Sequence, residues 1–264
     1  MPFLETLDQA IEHLATPLSG PREYALDTLC DYIESDEADT SWLDKTLLPS
    51  ILSNMLKTLG EKDNVTVYCR SFSTLVLASL VERDAILPYF GEGQFEWVLE
   101  SAVKAISEEM DYRGYVNETE GWAHSVAHAA DLTRELFKHP SLSKEQSYQL
   151  IDAWLTLFKN PALPLLQYDE EQRLALALMT LHHQSGMSSG QMASFIDELL
   201  DDEKELWYQT AYQKPVTLNR FTNVRNLVVA LYLQCQLGKP SKDSESLLQL
   251  LTVQIRKLDS GYYK

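Results

Sequence analysis

Apolar residues recur at intervals of three and four along almost the whole chain. Ala25, Leu26, Leu29, Tyr32 and Ile33 make one such stripe, and Leu47, Leu48, Ile51, Leu52, Met55, Leu56 and Leu59 make another. That is the period of an α-helix with one buried face. Gly60 stands where the second helix should stop, because glycine readily takes the left-handed conformation that closes helices. The pattern resumes from Phe72 through Leu80 and closes near Asp84 and Pro88. It predicts further helices over Phe95–Met110, Glu120–Phe137, Lys144–Lys159, Glu170–His183, Gly190–Leu200, Glu203–Tyr212, Leu218–Leu237 and Ser241–Leu258. Breaks fall at His139-Pro140, Asn160-Pro161 and Gly238-Lys239-Pro240, where proline cannot continue a helix. Strand-like alternation is essentially absent.

Helices of this length joined by short turns predict an all-α fold. The expected architecture is antiparallel helix pairs stacked as a HEAT-like α-solenoid, each helix burying one face and the stack presenting a concave surface. A compact irregular helical bundle is the alternative, because no strict internal repeat marks the chain. No linker rich in Gly, Ser or Pro divides it, and Pro161–Pro164 is the softest boundary. Residues 1–264 are therefore read as a single helical-repeat domain.

Composition narrows the partners. Lys and Arg number 22 against 39 Asp and Glu, a formal charge of −17. Phosphate recognition needs concentrated positive charge, so nucleic acid is excluded as a partner and anionic membrane surfaces are disfavoured. Cys30, Cys69 and Cys235 are far apart with no CxxC pair, and read as buried free thiols in a reducing compartment. The start Met1-Pro2-Phe3-Leu4-Glu5 lacks the basic region and apolar core of a signal peptide. No uncharged apolar run approaches the roughly 20 residues that span a bilayer. The expected location is cytoplasmic, and the Asn117-Glu118-Thr119 sequon is read as chance.

Candidate chemistry gathers in one stretch. His124 and His128 are four residues apart and Asp131 follows three later, which on a helix makes one polar stripe. Asn117 with Glu120 fits a capping box at the start of that helix, with Thr119 as another cap. On a helical wheel Trp122, Val126, Ala129, Leu132 and Leu136 share one side. His124, His128, Asp131 and Glu135 lie opposite, away from the expected core. Two readings follow: a solvated amphipathic face, or the lining of a groove. Ala123, Ala127 and Ala130 favour the groove, because small residues admit a close neighbour.

Catalytic templates fit poorly. A zincin needs Glu directly after its first His, and here Ser125 stands there. His128 and Asp131 are not an adjacent His-Asp doublet, so no metal and no cofactor are expected. A histidine oriented by an aspartate is a reasonable general base. No Gly-x-Ser-x-Gly elbow, reactive cysteine or phosphate loop supplies a nucleophile or anion cradle.

Several flanking residues read as scaffold. Gly114 is expected to take a positive φ in a turn, with Arg113 pairing Asp111 or Asp131. Arg70 and Arg83 are best read as structural ion pairs near the same region. His182-His183 suits a helix C-terminus, Ser185-Gly186 and Ser188-Ser189-Gly190 a turn, and the acidic run Asp201–Glu205 a solvated helix start. Asn219, Asn223 and Asn226 share a face, to serve either buried backbone or the groove.

Arg113-Gly114-Tyr115-Val116 followed by Gly121-Trp122-Ala123-His124, His128 and Asp131 resembles a family catalogued as a domain of unknown function, found mainly in Gram-positive bacteria. Arg70-Ser71-Phe72-Ser73, Leu75 and Glu82-Arg83-Asp84 also look like that family. The resemblance covers most of the chain and implies a helical, HEAT-like cytoplasmic protein, with no activity attached.

The functional expectation is a binding or interaction module whose groove is lined by Arg113, Tyr115, Trp122, His124, His128 and Asp131. Its expected ligand is a peptide, a protein segment or a small polar molecule. The alternative is a hydrolase-type enzyme, metal-assisted or not, with His124 or His128 as base, Asp131 as its orienter and Arg113 binding an anionic group.

Overall fold

The computed structural model describes residues 6–184, 186–200, 211–240, 243–259 and 261–262. The fold is all-α, with one small hairpin among the described residues. Helix α1 (Leu7–His13) opens on a capping box between Thr6 and Gln9 and leads to α2 (Ser19–Glu34). A short α3 (Thr40–Trp42) runs through a π-helical turn, Leu43–Leu47, into α4 (Leu48–Leu56). There follow α5 (Thr66–Ile86), α6 (Gln94–Glu108), the strands β1 (Tyr115–Asn117) and β2 (Gly121–Trp122), and α7 (Ser125–Lys138). The chain continues with α8 (Lys144–Lys159), α9 (Glu170–His183), α10 (Ser189–Leu200), α11 (Pro215–Leu237) and α12 (Ser244–Leu258).

The helices form two layers. In one, α2, α5, α7, α9 and α11 lie side by side in that order; in the other, α4, α6, α8, α10 and α12 do the same. Contacts α4–α5, α6–α7 and α11–α12 join the layers, as stacked helix pairs require. A continuous apolar cluster runs from Ala10 to Leu258 and crosses the Pro161–Pro164 stretch through Leu163 and Leu166. Among the described residues no helix is long and apolar enough to cross a membrane.

Three sequence expectations are corrected. The helix expected over Glu120–Phe137 starts only at Ser125, because Tyr115 to Trp122 form a hairpin in which Tyr115 pairs with Trp122. Asn117 and Glu120 do bond each other, Nδ2 to Oε1 at 2.8 Å, but they close a β-turn: Asn117 Oδ1 accepts from the N–H groups of Thr119 and Glu120. The expected outward polar face of α7 is also absent. This helix lies between α5 and α9 with α6 behind it, so His128 and Glu135 are as buried as Val126 and Leu136. Finally, α5 begins at Thr66 rather than Phe72, since its first turns carry polar side chains that are nonetheless buried.

Smaller differences have local causes. Helix α6 stops short of Met110 because Glu109 leaves it to accept a bidentate bond from buried Arg70. The Leu47–Leu59 helix ends at Leu56, and Gly60, at φ 88, sits in the loop beyond. All three cysteines are free, but Cys30 is only half-buried. The Asp201–Glu205 run, most of Glu203–Tyr212, Ser185 and Ser241 lie outside the described residues.

Candidate functional site

The site is assembled where the hairpin meets the start of α7. Ala123 N–H donates to the Gly114 carbonyl at 2.8 Å and His124 N–H to the Arg113 carbonyl at 3.0 Å, so the two halves of the motif are laced together by backbone. His124 is the N-cap of α7 in the left-handed region, φ 54 and ψ 31. A non-glycine residue there costs on the order of 1–3 kcal/mol and persists only when its surroundings hold it. Its reward is direction: the His124 ring leaves the helix axis and lies 4.3 Å from the Trp122 ring centroid.

Around that pair the aromatic groups close up. Tyr115 and Tyr168 meet Trp122 edge-on at 5.0 and 5.2 Å, and all three remain partly exposed. His128 lies beneath, 5.9 Å from His124 with its ring perpendicular, and edge-on to Phe72 at 5.3 Å.

The imidazoles are neutral. Burial, helped by the Arg173 guanidinium, pushes His124 down to about 4. Burial again, with His124 and Arg173 adding, pushes His128 down to about 3. His128 Nδ1 is 3.2 Å from the carbonyl oxygen of Ser71 and 2.8 Å from its Oγ. A carbonyl only accepts, so Nδ1 carries the proton and the Nε2 lone pair is left over. His124 Nε2 is buried with no hydrogen-bond partner. Buried polar atoms are nearly always satisfied, so the idle Nε2 of His124 is unusual.

Asp131 does not orient either histidine. It forms a short ion pair with Arg173 of α9, and burial, the largest influence, raises its carboxyl despite that partner. The histidine is oriented by Ser71, whose hydroxyl also donates to the Ala123 carbonyl. At 1 % exposure that hydroxyl is part of the wall. Arg113 pairs with Asp111, Nη2 to Oδ2 at 2.7 Å, and donates to the Asn64 carbonyl. It supports the loop, and Asp111 raises its pKa through that hydrogen bond.

Thus Tyr115, Trp122, His124 and His128 come together, with Asp131 engaged by Arg173 and Arg113 holding the turn. Sequence reasoning missed Ser71, Tyr168 and Arg173. Ser71 stood in the quoted Arg70-Ser71-Phe72 element, whereas Tyr168 and Arg173 gave no signal before the fold brought α9 beside α7. Gly114 does not take a positive φ; it is needed because the Tyr168 ring occupies the place of its side chain. The positive φ belongs to Gly121, at 65°.

Other groups are structural. Arg70 is saturated by Glu109, Thr58, Thr66 and the Glu61 carbonyl. Asp84, at the far end of α5, holds His139 at 3.0 Å and the N–H groups of Tyr89 and Phe90, so neither it nor neighbouring Arg83 reaches the site. His182 Nδ1 bonds the Met187 carbonyl. Asn223 serves the backbone of Pro164 and Leu166, and Asn226 bonds Glu171. Among the described residues no group of three or more His, Cys, Asp or Glu side chains is placed to hold a metal ion.

Residues 55–233 match the family described as Protein of unknown function (DUF2785), and the chain belongs to that family. The matched span holds the hairpin, both histidines and Arg173. No curated protein and no solved structure matches the chain.

Proposed function

We propose that this family member is a binding or interaction module whose ligand seats on the Tyr115–Trp122–Tyr168 cluster and bonds the imidazoles beneath it. The observation that carries this is the buried, unpartnered Nε2 of His124, with the His128 ring beneath it, next to exposed aromatic rings. A neutral imidazole nitrogen offers a lone pair to an N–H or O–H donor. Trp, Tyr and Arg are the side chains that dominate binding energy at interfaces. A peptide or protein segment supplies both a backbone donor and apolar side chains, so it leads, with a small polar molecule behind. This reading includes one HEAT-like helical-repeat domain and the cytoplasmic, bacterial setting expected from the sequence.

A hydrolase-type enzyme is supported less well. Ser71 and His128 are in contact, but the serine is buried. An imidazole titrating near 3 or 4 is a weak base at neutral pH, where general bases work best with a pKa near the ambient value.

The test is selection from a random peptide display library on the folded full chain, compared with Trp122→Ala/His124→Ala. Peptides enriched on the wild type should lose at least about 30-fold in affinity on the double variant, the scale of an interface hot spot. Equal enrichment on both proteins, or none, would sink the proposal.

A further inference from the structure

Arg22 belongs to α2, outside the residues that match the family, yet its side chain ends at the site. It is fully buried. Its guanidinium donates to the carbonyls of Thr16 at 2.9 Å, Pro17 at 3.0 Å and Trp122 at 3.1 Å, and makes a short bond to that of Glu120. The rings of Tyr68 and Phe72 lie 4.1 and 4.6 Å from it. These partners are carbonyls and ring faces, not a carboxylate. Glu120 turns its own carboxylate to the Tyr68 hydroxyl at 2.7 Å and to Asn117. Burying a cation without a counter-charge is costly, so such a residue is retained only where its geometry is needed.

The geometry here is that of a clamp. Two of the four carbonyls belong to the end of the hairpin, and one is that of Trp122. Next to it, Ser19 N–H donates to the Thr119 carbonyl at 3.1 Å, and a Cβ on Gly121 would come within 2.9 Å of Ser19 Cβ. The start of α2 is therefore the seat of the hairpin tip. A planar guanidinium presents five N–H groups in a fixed fork, enough for all four carbonyls, whereas an ammonium has only three donors and no fixed plane.

We propose that Arg22 is a positioning residue of the candidate site: by clamping the Glu120 and Trp122 carbonyls it holds the hairpin so that Trp122 covers His124. It touches no ligand and acts through Trp122. Its functional consequence rests on the reading of this site as a ligand seat, but the clamp itself is tested without a ligand.

The test is a histidine-ring NMR titration of the full chain from pH 8 to 4, on the wild type, Arg22→Lys and Arg22→Gln. The glutamine variant brings no charge into the interior. Arg173 and Asp169 act on His124 and stay in place. Arg22 itself helps to depress His128 beneath it, so Arg22→Lys, which keeps the charge, is the variant that isolates the clamp. In the wild type the His124 midpoint is held down at about 4, chiefly by burial. With the clamp removed, Trp122 should lift and the His124 midpoint should rise by at least about one unit toward the free value of about 6.5. The His139 ring, fixed by Asp84 at the other end of α7, should keep its wild-type chemical shifts at pH 8 and so reports on the fold. A folded variant whose His124 titrates as in the wild type would overturn the proposal. Loss of folding in both variants would do so too, by making Arg22 a residue of the whole core. Failure of the wild type to bind any peptide, together with a raised His124 midpoint in the variants, would count against the proposed function alone.

Discussion

The ring of Tyr168 fills the space that a side chain at Gly114 would need. A residue just before α9 and a residue just before β1 are thereby locked face to face, and Trp122 rests on the result. Gly114→Ala should destabilise the protein by about 1–3 kcal/mol, the usual cost of overpacking. In a Tyr168→Ala background the same substitution should cost much less. Urea denaturation of the four proteins of this cycle measures the coupling, and additive effects would show that the two residues do not share the space.

Ser71→Ala removes a hydroxyl bonded to both His128 and the Ala123 carbonyl. A loss of about 1–3 kcal/mol is expected from the unsatisfied buried acceptor. The Nδ1–H tautomer of His128 should nevertheless survive, because the backbone carbonyl of residue 71 remains its acceptor. Nitrogen-15 shifts of the ring distinguish the tautomers directly, and an Nε2–H form in this variant would contradict the assignment.

Two ion pairs of similar appearance should differ widely in weight. Arg70 and Glu109 are buried and bidentate, so Arg70→Met should cost about 3–5 kcal/mol by stranding a carboxylate. Lys159 and Glu198 are exposed and 3.5 Å apart, so Lys159→Met should stay within about 1 kcal/mol. Equal losses in chemical denaturation would undo the distinction.

Stability should depend on pH in two opposed windows. His124 and His128 titrate near 4 and 3 when folded, below the unfolded value of about 6.5. The unfolded chain takes up their protons first, so their contribution is complete above about 6.5 and declines as pH falls toward 4. Glu171 runs the other way: burial pushes it up to about 7, so the folded state holds its proton where the unfolded chain has lost it. Its contribution is complete below about 4.5 and is lost as pH rises through 7. Glu171→Gln should therefore leave melting at pH 4 nearly unchanged and raise the melting temperature at pH 8 relative to the wild type. Identical shifts at both pH values would contradict this.

The all-α class and most helix bodies were legible because apolar spacing is a property of the segment itself. The cluster Tyr115, Trp122, His124 and His128 was legible as a motif, though not as a geometry. A wheel assumes that Trp122 and His124 are helical, whereas Gly121 and the turn at Asn117 place them in a hairpin and its exit. The wheel also assumes one buried face, and α7 has neighbours on both sides. Ser71, Tyr168, Arg173 and Arg22 come from four different elements, and only the stacking order of the layers brings them to His124 and His128. Asp131 looked like the histidines' partner at helical spacing, yet a guanidinium on α9 outcompetes a neutral imidazole for a carboxylate.

The most direct test of the central claim is the histidine-ring NMR spectrum at pH 7 as a selected peptide is added. The account predicts that the His124 and His128 ring signals shift and saturate at one peptide per chain, and that neither ring takes up a proton between pH 8 and 6. Shifts confined to other residues, or a His128 midpoint near 7, would contradict it.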